Sequence, residues 1–274
     1  MSEFPDWLFV RREELPLIVS MPHTGTGMPA AIEDKFVSPW LARKDADWWI
    51  ERLYDFASEM GLTVIRTAIS RTVIDVNRDP YGHSLYPGQN TTELCPTTTF
   101  DGEPLYQAGE GLDGAEVTRR REMFFEPYHR SLQAEIDRLL ARHDEIVLFE
   151  AHSIRSRIPR LFDGELPHFN IGTNSGLSCS DVLSGAVARL CAESPFTHVA
   201  NGRFKGGYTT RHYGQPSNGV HAMQLELAMR AYLKEPLAPS PETWPPPYDA
   251  SRAEPLRAVL RRILETCLEF ASRP

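Results

Sequence analysis

Residues 15–25 read LPLIVSMPHTG, a short apolar segment that runs into a proline, a histidine and a glycine-containing turn. The apolar run indicates a buried β-strand, and the glycines after His23 indicate a turn. In open α/β sheets, ligands bind where the carboxyl ends of strands meet their loops. His23 is therefore a candidate metal ligand, acid–base group or hydrogen-bonded loop residue, and this stretch alone leaves the three alternatives open.

A second apolar strand pattern, EIVLFEA at residues 145–151, also leads to a histidine, His152. Two histidines at the ends of two hydrophobic strands, with a carboxylate in reach, match the two-histidine, one-carboxylate ligand set of catalytic zinc. The candidate carboxylates are Asp45 and Asp47, which lie in a helical segment after His23, and Glu150, which shares a strand face with His152.

Strand patterns alternate with helical patterns along most of the chain, as in α/β proteins. We predict further strands at residues 62–68, 71–76, 168–172, 198–203 and 220–229, and helices at residues 38–60, 113–143, 180–193 and 252–270. Pro127 is expected to kink or divide the second helix. The predicted fold is one α/β domain over residues 1–274, a three-layer α/β/α sandwich with a mixed, mostly parallel sheet. Residues 235–274 form its proline-rich connector and C-terminal helix.

Composition restricts the class of partner. The 274 residues include 29 Lys and Arg against 37 Asp and Glu, a net charge of −8, which argues against a nucleic-acid partner. A pocket can still be locally positive and bind a small anionic substrate. Four scattered cysteines without a C-x-x-C pair predict reduced thiols. With no signal-peptide core and no apolar run of about 18 residues, we expect no membrane partner and a cytoplasmic location.

Amide and guanidinium side chains surround the predicted strand at residues 71–76. They are Arg71 at its start, and Asn77 and Arg78 directly after it. Arginine binds carboxylates bidentately, so these residues are candidates for a carboxylate clamp. Salt bridges on the surface are the alternative. The following residues, 79–112, form a long segment rich in Gly, Pro and Thr, of a kind that often serves as a lid or binding loop.

Two features near the end of the chain also suggest chemistry. The segment GRFKGGYTTRHYG, residues 202–214, places Arg203, Tyr208 and Arg211 among four glycines, and it lacks the glycine patterns of nucleotide-binding loops. It suits a small anionic substrate, with a solvated surface loop as the alternative. Glu226 lies between leucines, where burial raises the pKa of a carboxyl group towards that of a general base or acid. A salt-bridged core residue is the alternative for Glu226.

Together, these motifs resemble the N-formylglutamate amidohydrolase (N-formylglutamate deformylase) family. The matching segments are SMPHTG, DADWWIERLYDF, SRTVIDVNRDP, FEAHSI, GRFKGGYTTRHYG and HAMQLELAMRAYL, in this order over nearly the whole chain. The family is related in fold to the zinc carboxypeptidases and aspartoacylase, so the resemblance implies a zinc-carboxypeptidase-like fold.

The resemblance also assigns roles to individual residues. It implies that His23 and His152 bind Zn²⁺, with Co²⁺ or another divalent metal as alternatives. It implies a substrate clamp of Arg71, Asn77 and Arg78, and a catalytic glutamate at Glu226. The related zinc enzymes carry a glutamate ligand three residues after the first histidine, where this chain has Thr26. We therefore predict Asp47 as the third metal ligand, with Asp45 as the second choice.

The activity that the resemblance implies is hydrolysis of N-formyl-L-glutamate to formate and L-glutamate, the last step of one histidine-degradation route. In this interpretation Glu226 is the general base, and arginines bind the substrate carboxylates. One alternative is a related zinc amidohydrolase that acts on another N-acyl amino acid. A second alternative, from a different class, is a metal-free protein that binds small anions on the same scaffold.

Overall fold

A seven-stranded mixed sheet lies at the centre of residues 5–273, the part of the chain that the computed structural model describes. The strands are Leu8–Arg11 (β1), Leu17–Met21 (β2), Thr63–Thr67 (β3), Ile146–Ile154 (β4), Phe169–Gly172 (β5), His198–Ala200 (β6) and Val220–Ala228 (β7). Their order is β1-β3-β2-β4-β7-β5-β6, and only the β1/β3 and β5/β7 pairs are antiparallel in this sheet. The predicted mixed, mostly parallel α/β sheet is confirmed.

Helices cover both faces of the sheet. They are Ala30–Glu33 (α1), Pro39–Arg43 (α2), Ile50–Leu53 (α3), Phe56–Glu59 (α4), Gly114–Arg120 (α5), Glu126–Leu140 (α6), Asp181–Glu193 (α7), Tyr208–Tyr213 (α8) and Ala250–Ala271 (α9). A π-helical turn, Arg121–Phe125, joins α5 to α6 directly before Pro127, so the helix changes its winding where the proline predicted an irregularity. In the described part of the chain, no helix is both long enough and apolar enough to cross a membrane.

Strands β4 and β7 contribute to the apolar core on both faces of the sheet, because successive side chains of a strand point to opposite faces. Val147 and Phe149 belong to the apolar cluster that includes α7 and α9. Ile146 and Leu148 belong to the cluster on the opposite face, which includes α6. Strands β4 and β7 are buried along their whole length, which explains their nearly continuous apolar sequences.

The prediction of one continuous helix over residues 38–60 is wrong, because this segment forms three short helices. Ser38 caps its start as expected, by accepting a hydrogen bond from the Leu41 amide. The helix then stops at Arg43, and two further short helices follow. Trp49 adopts a left-handed backbone conformation with φ of 64°, which is costly for a residue with a side chain. This break reorients the chain around Asp47, whose amide donates to the backbone carbonyl of His23 over 3.0 Å.

Two strand predictions also need correction. Residues 71–76 form turns, although Val73, Ile74 and Val76 are buried as their apolar character predicts. The backbone is held by tertiary bonds instead: the carbonyl of Val73 accepts a hydrogen bond from the buried guanidinium of Arg120. Strand β4 extends to Ile154, so His152 lies within the strand and its side chain belongs to a sheet face.

Gly25 is required by close approach of two backbone segments. A Cβ atom at this position would lie 2.4 Å from the Ala68 carbonyl carbon and 2.5 Å from the Ile69 oxygen. Gly25→Ala should therefore lower the free energy of unfolding by about 1–3 kcal/mol, the usual cost of overpacking. Urea denaturation measures this change. Gly111→Ala is the control, because a Cβ there meets nothing within 4 Å. Equal midpoints for both variants would contradict the prediction.

Candidate active site

Two histidines and one aspartate form a buried cluster at the carboxyl ends of β2 and β4. His23, Asp47 and His152 each present one ligand atom, and these atoms all lie within 4.8 Å of one another. Asp47 Oδ2 lies 3.8 Å from His23 Nδ1 and 3.1 Å from His152 Nδ1. The structure thus brings together the three residues that the sequence predicts as metal ligands.

His23 presents an unprotonated nitrogen to this cluster. Its Nε2 donates a hydrogen bond of 2.6 Å to Asp75 Oδ1. Burial, together with the charge of Arg71, lowers the pKa of His23, so the ring is neutral and carries its single proton on Nε2. Nδ1 is buried and has no hydrogen-bond partner within residues 5–273. A lone pair aimed at Asp47 and a carboxylate behind the ring are the features of a metal-binding histidine.

His152 has carboxylates on both sides of its ring. Its Nδ1 faces Asp47, and its Nε2 lies 3.7 Å from Glu150 Oε1, a buried oxygen without a hydrogen-bond partner in the described chain. Burial opposes the charged form, but the hydrogen bond to Asp47 and the negative charge of Glu150 raise the pKa of His152 well above its usual value. The cluster therefore favours positive charge, as a cation site requires. Glu150 lies behind His152 rather than within the three-ligand group.

Asp45, the second candidate, points away from the cluster. Its Oδ2 accepts a hydrogen bond of 2.6 Å from the Phe100 amide, and its Oδ1 lies 3.2 Å from Arg155 Nη2. Asp47 instead accepts from the Ser153 amide over 3.1 Å, which fixes its carboxylate against β4. The contacts thus separate two aspartates that the sequence places two residues apart.

Asp75 is the residue that the sequence analysis missed. It is fully buried, and its carboxylate accepts hydrogen bonds from His23 Nε2, from Arg71 Nη2 at 2.6 Å and from the Asn77 amide. Burial raises its pKa, but the charges of Arg71 and Arg78 and the hydrogen bond from His23 outweigh burial and hold the pKa of Asp75 well below its usual range. Asp75 stands between Ile74 and Val76, so the apolar context that identified Glu226 could also have identified it.

Glu226 lies beside His152 because of the strand register. The parallel β4/β7 pairing aligns His152 with Glu226, and Glu150 with Gln224, on the same sheet face. Burial and the charge of Asp47 raise the pKa of Glu226, while the charges of His152, Arg71 and Arg78 lower it, and the net result is a pKa of about 7. A carboxyl group with a pKa near neutrality is suited to take and return a proton.

A pocket opens in front of this cluster, and the segment 79–112 forms one of its walls. Among the predicted site residues, His23, Arg71, Asn77, Arg78, His152, Arg203 and Glu226 line it. Tyr86, Asn90 and Thr92 contribute from the long segment. Asn77 Nδ2 lies 3.1 Å from His152 Nε2, so the amide side chain reaches the cluster itself. The pocket is therefore lined by groups that can bind an anion and a reacting carbonyl.

Tyr208 and Arg211 lie outside this pocket lining. The segment 202–214 was predicted as a loop, but it ends in helix α8, on which both residues lie. The Tyr208 ring stacks on His212 with centroids 4.8 Å apart. Arg211 Nε donates to the Gly206 carbonyl over 2.9 Å. The pocket lining therefore gives no support for a direct substrate contact from either residue.

The α/β fold and the candidate site, in which a buried glutamate lies beside a candidate metal cluster, are typical of a hydrolase. Residues 15–233 match the family model described as N-formylglutamate amidohydrolase. The chain belongs to the N-formylglutamate amidohydrolase family and is an amidohydrolase, which confirms the resemblance seen in the sequence.

Individual relatives support the same assignment. A protein of Pseudomonas putida called N-formylglutamate deformylase is 44% identical over 259 residues, 94% of each chain. Its namesake from Pseudomonas aeruginosa is 45% identical over 264 residues, 96% of each chain. A crystal structure described as N-formylglutamate amidohydrolase from Ralstonia eutropha matches with a TM-score of 0.75 and 23% identity, covering 96% of this chain and 98% of that one. At that identity, the structural match supports the fold alone.

Proposed function

We propose that this enzyme hydrolyses N-formyl-L-glutamate to formate and L-glutamate, with Zn²⁺ as its cofactor. The observation that carries the proposal is the His23–Asp47–His152 cluster, whose two histidines line one pocket together with Glu226 and three arginines. The substrate is inferred from the two relatives called N-formylglutamate deformylase, at 44% and 45% identity. The arginines supply the local positive charge that a dianionic substrate needs in an acidic protein.

The donor set fits zinc. Two imidazole nitrogens and one carboxylate oxygen are the ligands of many catalytic zinc sites, which leave one position open for water or substrate. Zinc held by His23, Asp47 and His152 would act as a Lewis acid on the formyl carbonyl and lower the pKa of water in the pocket. Co²⁺ also accepts nitrogen and oxygen ligands, so it is the alternative metal.

Glu226 is proposed as the general base. Its carboxylate takes a proton from the water that attacks the formyl carbon. The amide C–N bond then breaks, and Glu226 returns the proton to the leaving nitrogen, which becomes the amine of L-glutamate. A pKa of about 7 suits both directions of transfer. Arg71 is held against Asp75 and faces the same pocket, where its charge would stabilise the developing oxyanion.

Formate release with N-formyl-L-glutamate tests this function. The metal-loaded enzyme should release formate and L-glutamate in equal amounts, and removal of metal by a chelator should lower the rate by at least about 100-fold, with recovery on adding Zn²⁺. N-acetyl-L-glutamate and N-formyl-L-leucine are the control substrates. No formate release, or a rate that the chelator leaves unchanged, would contradict the proposal.

We place this reaction at the end of a histidine-degradation route and in the cytoplasm. The route is inferred from the family resemblance. The compartment is inferred from the four cysteines, which are all free and buried in the structure, as is usual for proteins kept under reducing conditions.

A further inference from the structure

Three arginines line the pocket, but only one of them has no acidic partner. Arg71 Nη2 lies 2.6 Å from Asp75 Oδ2, and Arg78 Nε lies 3.7 Å from the same oxygen. Arg203 forms no ion pair with any carboxylate of residues 5–273, and its bonds go to backbone carbonyls. A half-buried guanidinium without an acid is costly, because partial desolvation is not repaid by a counter-charge.

Arg203 is nevertheless held in a fixed orientation. Its Nε donates to the Leu161 carbonyl over 2.8 Å, and its Nη2 donates to the Asn90 carbonyl over 2.8 Å. Its guanidinium carbon lies 5.4 Å from the ring centroid of Tyr86 and 5.2 Å from that of Phe204. Nη1 has no hydrogen-bond partner within the described chain. Two fixed donors and one free nitrogen at the pocket make a preorganised anion site.

The arginines also differ in their contacts with the residues around the metal-ligand cluster. Asn77 touches the metal-ligand cluster, and Arg78 follows it directly and approaches Asp75. Arg203 has no contact with the cluster and lies against the loops of the outer wall. In an N-formyl amino acid, the amide and the α-carboxylate share one carbon, so the α-carboxylate must stay near the reacting amide. The carboxylate at the end of a glutamate side chain is three bonds from the same carbon, two bonds further out than the α-carboxylate.

We propose that Arg203 determines specificity for a second carboxylate, by binding the distal carboxylate of the substrate, while Asn77 and Arg78 bind the α-carboxylate. This inference rests on the proposed function. It adds the residue that distinguishes a substrate with two carboxylates from an analogue whose side chain is neutral. Burial and the neighbouring charge of Arg78 lower the pKa of Arg203, so a bound anion there would relieve both effects.

Paired substrates test the assignment. N-formyl-L-glutamine has the α-carboxylate and the shape of N-formyl-L-glutamate but no distal charge. Arg203→Gln should lower kcat/KM for N-formyl-L-glutamate by about 10- to 100-fold, which is the usual contribution of charge-assisted hydrogen bonds. The ratio of kcat/KM for N-formyl-L-glutamate to that for N-formyl-L-glutamine should fall by the same factor. Arg78→Gln is the matched control and should lower kcat/KM for both substrates by similar factors, which keeps the preference.

If Arg203 had only a structural role, Arg203→Gln would lower kcat/KM for both substrates equally, and that result would overturn the inference. Loss of the preference in Arg78→Gln instead would assign the distal carboxylate to Arg78. Arg203→Lys keeps the charge but loses the planar fork, so it should restore part of the preference.

Calorimetry provides a second readout that needs no turnover. Binding of L-glutamate and L-glutamine is measured for the wild-type protein and both variants. Arg203→Gln should lose the preference for L-glutamate over L-glutamine, and Arg78→Gln should keep it. Absence of formate release by the wild type would contradict the proposed function alone, because the binding preference still tests Arg203. A preference unchanged in Arg203→Gln would overturn the inference even in an active enzyme.

Discussion

Glu226→Gln should lower kcat by about 10²- to 10⁴-fold, the usual contribution of a general acid–base group, while the protein keeps its fold and its metal. Glutamine preserves the shape of the side chain but cannot accept the proton of the attacking water. Glu226 is outside the three-residue ligand group, so metal content should stay at the wild-type level. Steady-state formate release and elemental analysis measure the two quantities.

Glu150→Gln is the matched control for this prediction. It is the same substitution on the same sheet face, aligned with Gln224 next to the Glu226 position. Glu150 lies behind His152, and loss of a carboxylate that supports a metal-binding histidine typically lowers metal affinity by about 10- to 100-fold. Excess Zn²⁺ should therefore restore formate release by the Glu150→Gln enzyme but not by the Glu226→Gln enzyme. A Glu226→Gln enzyme within tenfold of wild type would contradict the assignment of the general base.

The central strands could be predicted from the sequence because burial on both faces imposes apolar composition along the whole strand. The segments 17–21, 145–151 and 220–229 show this pattern, and each brings one functional side chain to the site. Parallel pairing of β4 with β7 then places His152 beside Glu226 without help from any loop. The part of the site that is built on strands was therefore accessible to sequence reasoning.

The part of the site that is built on irregular backbone was less accessible. The apolar spacing of Trp49, Leu53 and Phe56 predicts a continuous helix, yet the chain breaks at Trp49. The break follows from tertiary bonds, in which the amide and the carboxylate of Asp47 reach His23 and Ser153. Contacts between residues so distant along the chain leave no periodic signal in the local sequence.

Asp75 illustrates the same limit at residues 71–76. Val73, Ile74 and Val76 give the segment a strand-like composition, but their burial occurs in turns around the Asp75 carboxylate. The three donors that Asp75 binds come from His23, Arg71 and Asn77. Asp75 is defined by these partners, which come from separate positions along the chain and leave no local pattern in the sequence.

Asp47→Ala should lower the affinity for Zn²⁺ by more than about 100-fold, which exceeds the effect of losing a residue that only supports a ligand, and abolish measurable formate release. The substitution removes the oxygen that lies between the two histidine Nδ1 atoms. It also removes the hydrogen-bond partner of His152 Nδ1, which helps to orient the ring. Excess metal should therefore not restore activity. Competition with a fluorescent chelator measures the affinity, and elemental analysis after gel filtration measures the bound metal.

Asp45→Ala is the matched control, since it removes a buried carboxylate only two residues away. Asp45 binds the Phe100 amide and Arg155, and Arg155 keeps a second partner in Asp101 at 2.7 Å. Asp45→Ala should therefore lower stability but keep the metal. Zinc at 100 times its dissociation constant should stabilise wild type and Asp45→Ala by about 2.7 kcal/mol, and it should leave the melting temperature of Asp47→Ala unchanged. If Asp45→Ala lost the metal and Asp47→Ala kept it, the ligand assignment would be reversed, because Asp45 would then be the aspartate that binds the metal with the two histidines.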